Sequence, residues 1–165
     1  MSKVIFAALT GLVVLGALPA SSMPPVTEIE VEARVIRMPE GLRGQWQIGP
    51  LRFVSNADTA FENDDCTLQA GGFAEVTARY NGQQWVASEV ECEAEAFVNP
   101  RIELEGPLTW RSQKAGRWQI GPQAFVVTSL TRLDDPACLR PGAQLAMEGH
   151  YNGTEWLAHA LGCDD

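Results

Sequence analysis

The sequence predicts an all-β protein made of two tandem small β-barrels of the oligonucleotide/oligosaccharide-binding type, with five to six strands each. Three observations carry this. The chain repeats itself: Trp46-Gln47-Ile48-Gly49-Pro50 returns as Trp118-Gln119-Ile120-Gly121-Pro122, and Phe53-Val54 returns as Phe125-Val126. Thr59, Cys66, Tyr80-Asn81-Gly82, Trp85, Ala87 and Cys92 then recur in order as Thr131, Cys138, Tyr151-Asn152-Gly153, Trp156, Ala158 and Cys163. Apolar residues alternate with polar ones in short runs, the period of a half-buried strand. No stretch of the mature chain has a convincing helical period, and only a single turn of helix is expected, over Leu130–Leu139.

The elements follow in order. Residues 1–22 read as a secretory signal, with Lys3 as the positive start, Val4 to Leu18 as an uncharged apolar run, and Pro19-Ala20-Ser21-Ser22 as small residues for cleavage. The run is short for a membrane span, so no insertion is expected after cleavage. The first repeat occupies 26–98 and the second 99–165, with Asn99-Pro100 as the joint. Ile29, Val31, Ala33 and Val35 alternate with Glu28, Glu30, Glu32 and Arg34, and Ile102 and Leu104 alternate with glutamates likewise. Short strands are expected at 45–48 and 51–55 around Gly49-Pro50, a dipeptide that proline makes a turn, and at 117–120 and 123–128.

Asn81-Gly82 and Asn152-Gly153 predict two-residue type I′ hairpins. That register sets Trp85 opposite Ala78 and Trp156 opposite Gly149. It also sets Cys92 near Gly71 and Cys163 near Gly142. The apolar side of the returning strand changes phase between Ala87 and Val90, which predicts a bulge. Closing each sheet into a barrel would remove exposed edges.

Four cysteines in an exported chain point to disulfides. The duplication chooses among the three pairings: an ancestral unit that folded alone carries its own bridge, which predicts Cys66–Cys92 and Cys138–Cys163. Zinc sites usually use cysteines in close pairs, and none are close here.

Charge bounds the partners. The chain has 12 basic and 21 acidic residues, a formal net charge of −9. Loss of Lys3 with the leader leaves Lys114 as the single lysine. Nucleic acid and anionic membrane surfaces need clustered basic residues, so both are excluded as expected partners. No nucleophile elbow, His-Glu-x-x-His, phosphate loop or dinucleotide fingerprint occurs, so no enzyme and no cofactor are expected.

Candidate sites are few. Glu62-Asn63-Asp64-Asp65 precedes Cys66, and Asp134-Asp135 precedes Cys138. Oxygen ligands suit hard divalent cations, so Asp64, Asp65, Asp134 and Asp135 are candidate metal ligands, although they lack the spaced loop of an EF-hand. Glu89, Glu91, Glu93 and Glu95 form one carboxylate face of a strand. The tryptophans could form a ligand-stacking platform, but Trp46 and Trp118 alternate with Ile48 and Ile120 on the apolar face, and core packing is expected. Trp110, which has Met38 in the matching place, is the candidate for an exposed ligand-stacking aromatic. His150 and His159, matched by Arg79 and Ser88, should stand roughly 13 Å apart across the hairpin.

The motifs also resemble a bacterial family of exported domains of unknown function. Its repeats read as a first strand ending in glycine, Gly-x-Trp-x-Ile-x-Gly, a Phe-Val strand, a threonine, and an Asn-Gly hairpin followed by x-x-Val-Ala. Here these are Gly44 to Gly49, Phe53-Val54, Thr59 and Asn81 to Ala87, then Gly106, Gly116 to Gly121, Phe125-Val126, Thr131 and Asn152 to Ala158. The chain departs in its paired cysteines and in Arg34, which stands where the first glycine would be. The resemblance implies a small β-barrel outside the cytoplasm and no known catalytic residue. The expected protein is a periplasmic or secreted, non-catalytic binding or envelope-associated module. Its expected partners are an envelope protein, peptide or glycan, or a weakly held divalent cation. The alternative is a component or inhibitor of an extracytoplasmic enzyme with a site between the repeats.

Overall fold

The computed structural model describes residues 26–63, 66–96, 98–112 and 115–163. The signal segment expected at 1–22 lies outside them, as do Asp64 and Asp65. The described residues form twelve strands and no helix: β1 Glu28–Arg37, β2 Gly44–Ile48, β3 Leu51–Ser55, β4 Ala60–Glu62, β5 Phe73–Tyr80 and β6 Trp85–Glu93. These are followed by β7 Arg101–Arg111, β8 Gly116–Ile120, β9 Gln123–Val127, β10 Arg132–Leu133, β11 Gln144–Tyr151 and β12 Trp156–Cys163. The helical turn expected over Leu130–Leu139 is absent. The segment instead holds β10 and turns in which Cys138 N donates to the Asp135 carbonyl.

All twelve strands belong to one hydrogen-bonded sheet. In the first half, β1 pairs with β2, β2 with β3, β3 with β6, β6 with β5, and β5 with β1. The second half repeats this circuit through β7, β8, β9, β12 and β11. The β3–β6 and β9–β12 contacts that complete each circuit are parallel. Short β4 and β10 also run parallel, along β6 and β12.

The halves join by antiparallel pairing of β1 with β7, in which Ile29 faces Leu104 and Val31 faces Ile102. Matching ladders place Ala33 opposite Ala74 and Gly106 opposite Leu145, so Gly106 corresponds to Ala33 and not to Arg34. Trp110 pairs with Gln119 as Arg37 pairs with Gln47, so its counterpart is Arg37 and not Met38. The connection from the first strand to the second is one residue shorter in the second half, which shifts the count by one.

Alternation sends Ile29, Val31, Ile102, Leu104, Trp46 and Trp118 inward, and the buried residues of both halves form one continuous core. Trp46 stacks on Phe53 and Phe61 at centroid distances of 5.8 and 6.2 Å. Its Nε1 donates to Ser55 Oγ at 2.9 Å. Both disulfides form as the duplication predicts, Cys66–Cys92 and Cys138–Cys163, with Cα separations of 5.7 and 6.3 Å.

The hairpins correct the sequence register. Tyr80 pairs with Trp85 and Tyr151 with Trp156, leaving four residues in each turn. The Asn81 and Asn152 carboxamide oxygens each accept two backbone N–H groups across the turn, a local bond that outcompetes the two-residue form. Tyrosines, not small residues, therefore face the indoles, edge-on at 5.5 and 5.3 Å. Cys92 faces Ala74 and Cys163 faces Leu145, in place of Gly71 and Gly142. The bulge expected between Ala87 and Val90 is present, with Ser88 as the extra residue, and its twin falls at His159.

Candidate functional site

The β1–β7 seam sets the polar faces of both halves side by side. Alternation that buries Ile29 and Val31 turns Glu28, Glu30 and Glu32 outward. Glu30 faces Glu103 directly across the seam, and Glu103 faces Glu148 on β11. On the other flank Glu32 faces Glu75, Glu75 faces Glu91, and Glu91 faces Glu62. A band of carboxylates thus crosses six adjacent strands.

A groove of about 620 Å³ lies over the seam, between this band and the connection that carries Glu95 and Asn99. Glu30, Glu32, Glu103, Glu148, His150 and His159 are among its lining residues. Like charge this close disfavours ionisation. Glu75 is pushed up to about 7 by burial, reinforced by Glu30, Glu32, Glu91 and Glu93. Glu30 is raised by burial and then by Glu103. Glu89 is raised chiefly by its hydrogen bond with Glu62. Arg101 partly offsets the charge through a 3.3 Å ion pair with Glu32.

The histidines form the other end of the groove, and here the structure overturns the 13 Å expectation. The bulge removes His159 from the ladder: Glu148 faces Ala160 and Gly149 faces Ala158, leaving His159 between them. Gly149 permits the close approach, because a Cβ there would lie 2.3 Å from the Leu157 carbonyl oxygen. The two rings consequently touch, with centroids 4.5 Å apart. Burial, then the neighbouring His159, lowers the pKa of His150. The bulge was visible in the sequence of the first half. Its transfer to the second half was the signal that could have found this pair.

Other candidates stand apart. Asp134 is exposed and ion-paired to Arg132 at 2.8 Å, while Asp135 accepts the Ala137 N–H within its own turn. Among the described residues no group of three or more His, Cys, Asp or Glu side chains is placed to hold a metal ion. Glu89, Glu91 and Glu93 lie on one face of β6 as expected, with Val90 and Cys92 buried between them, whereas Glu95 falls beyond the end of the strand. Trp110 is 52 % exposed near the end of β7 and is not among the groove residues.

The model of the family described as Domain of unknown function (DUF5666) matches residues 28–91. The match begins with β1 and ends within β6, so it spans the closed circuit of the first half. No curated protein and no solved structure matches the chain.

Proposed function

We propose that this chain is a non-catalytic, exported binding module that offers a cationic ligand an acidic groove across the seam of two small barrels. The ligand class is a Lys/Arg-bearing segment of a protein or peptide. The carrying observation is the carboxylate band over six strands: opposing like charges cost stability unless something compensates them, and a cationic ligand would do so. Each closed circuit of five strands supports the barrel reading, because closure accounts for every long strand edge. The leader-like start and two disulfides support export, since disulfides persist in oxidising compartments. A phosphate backbone would be repelled by the same band.

The test is fluorescence anisotropy with a labelled oligolysine peptide, an oligoglutamate peptide and a neutral oligosaccharide. Oligolysine alone should bind, more weakly as salt rises. A Glu30→Gln/Glu103→Gln variant should lose about tenfold in affinity. Equal binding of all three probes, or an unchanged affinity in the variant, would rule the reading out.

The imidazole pair favours a second reading, a component of an extracytoplasmic enzyme with a site between the halves. A titrating group with a displaced pKa in a groove marks candidate chemistry. An envelope enzyme whose turnover responds to the native chain but not to His150→Gln would support it.

A further inference from the structure

The imidazole pair itself points to a ligand. Nδ1 of His150 and Nε2 of His159 face each other at 2.5 Å. Two facing neutral imidazole nitrogens share one hydrogen, because each ring carries one N–H and one lone pair. A metal ion can take its place: that hydrogen moves to the outer nitrogen of the same ring, and both inner lone pairs then point to the ion. No proton is lost from the neutral pair, and one is released for each ring that was protonated.

We propose that His150 and His159 form an open, two-nitrogen site for a divalent transition-metal ion of the zinc, nickel or copper class. Water would complete the coordination, since among the described residues no third side chain converges. Metal–nitrogen bonds of about 2.0–2.1 Å need the nitrogens roughly 3 Å apart. Small rotations of two rings at the groove mouth suffice, as His150 is half-buried and His159 exposed.

The surroundings favour a cation. Glu148 is two residues from His150 on β11 and faces Glu103, which faces Glu30. The nearby cations are engaged elsewhere: Arg101, opposite His150, pairs with Glu32, and Arg132 pairs with Asp134. The matching positions of the first half hold Arg79 and Ser88, and Arg79 is ion-paired to Glu28. The site therefore belongs to the second half alone. It does not rest on the peptide-binding reading, because its donors are nitrogens, not the carboxylate band.

The test is calorimetry on the purified, disulfide-intact chain at pH 7.5 with zinc, nickel, copper(II) and calcium chlorides in turn. Imidazole NMR spectra are recorded alongside. One equivalent of each transition metal should bind, copper tightest, and calcium should not. The His150 and His159 resonances should shift. His159→Ser, which installs the residue of the matching position, and His150→Gln should each weaken nickel and zinc by about tenfold or more. Circular dichroism and non-reducing peptide maps identical to wild type would show both variants folded. No transition-metal binding up to about 1 mM, affinities unchanged in both variants, or calcium binding as tightly as zinc would overturn the proposal.

Discussion

Thr59 and Thr131 recur because each closes its half from within. The Thr59 hydroxyl donates to the Ala87 carbonyl at 2.8 Å and accepts the Asn56 N–H at 2.9 Å. Thr131 does the same with Ala158 and Thr128. Ala87 and Ala158 immediately precede the bulge residues, so the hydroxyl holds the backbone where the ladder is interrupted. Thr59→Val keeps the shape and orphans both groups. It should destabilise by about 1–3 kcal/mol in urea titration. Glu75 makes a different contribution. Its folded pKa of about 7 lies above the usual carboxylate value. The folded chain therefore binds more protons than the unfolded chain between the two values, and stability falls as pH rises through that window. Glu75→Gln should raise Tm at pH 8, by the equivalent of about 1 kcal/mol after solvent screening, and leave it nearly unchanged at pH 4. A lower Tm at pH 8 would refute the assignment.

At the scale of elements, the Gly-Pro turns do more than reverse the chain. Gly49 and Gly121 have φ of 49° and 51°, a left-handed conformation that favours glycine. Their N–H groups donate to the Arg34 and Pro107 carbonyls at 2.8 and 2.9 Å, binding each turn to its own first strand. Each turn also receives the other half: Pro100 packs over Gly49, and Thr27 packs on Gly121. A Cβ at Gly121 would lie 2.4 Å from Thr27 Oγ1, whereas at Gly49 the nearest atom is Ala33 Cβ at 2.9 Å. Alanine at either position costs about 1–2 kcal/mol in backbone strain alone. Thermal denaturation should show Gly121→Ala to be the more damaging, with Thr27→Ala, which removes the crowding hydroxyl and methyl, recovering part of that loss. The repeat of Gly-Pro was legible as a turn. Its docking against the opposite half was not, because that contact depends on how β1 meets β7.

At the scale of the molecule, the shared core predicts one unfolding event. The buried residues of both halves are contiguous and the sheet is unbroken across the seam. Calorimetry should give a single transition, and two resolved transitions would show that the halves fold independently. Each disulfide closes a sequence separation of 26 or 25 residues. By the chain-entropy relation each contributes roughly 3.5 kcal/mol. Cys66→Ser/Cys92→Ser should lower the stability of the whole chain by about 2–4 kcal/mol without splitting the transition. Strand placement, the core tryptophans and the disulfide pairs were legible in the chain, because alternation and duplication are one-dimensional patterns. Three features were not. The parallel closures β3–β6 and β9–β12 join strands with two others between them in the chain. The four-residue turns depend on an asparagine side chain competing with the ladder. The groove arises from β1 pairing with β7, and its histidine pair from a bulge that slides β12 along β11. Periodicity determines which face of a strand is buried. Which strand lies beside it, and at what register, is set by hydrogen bonds between segments distant in sequence, and that decided where the carboxylates and imidazoles meet.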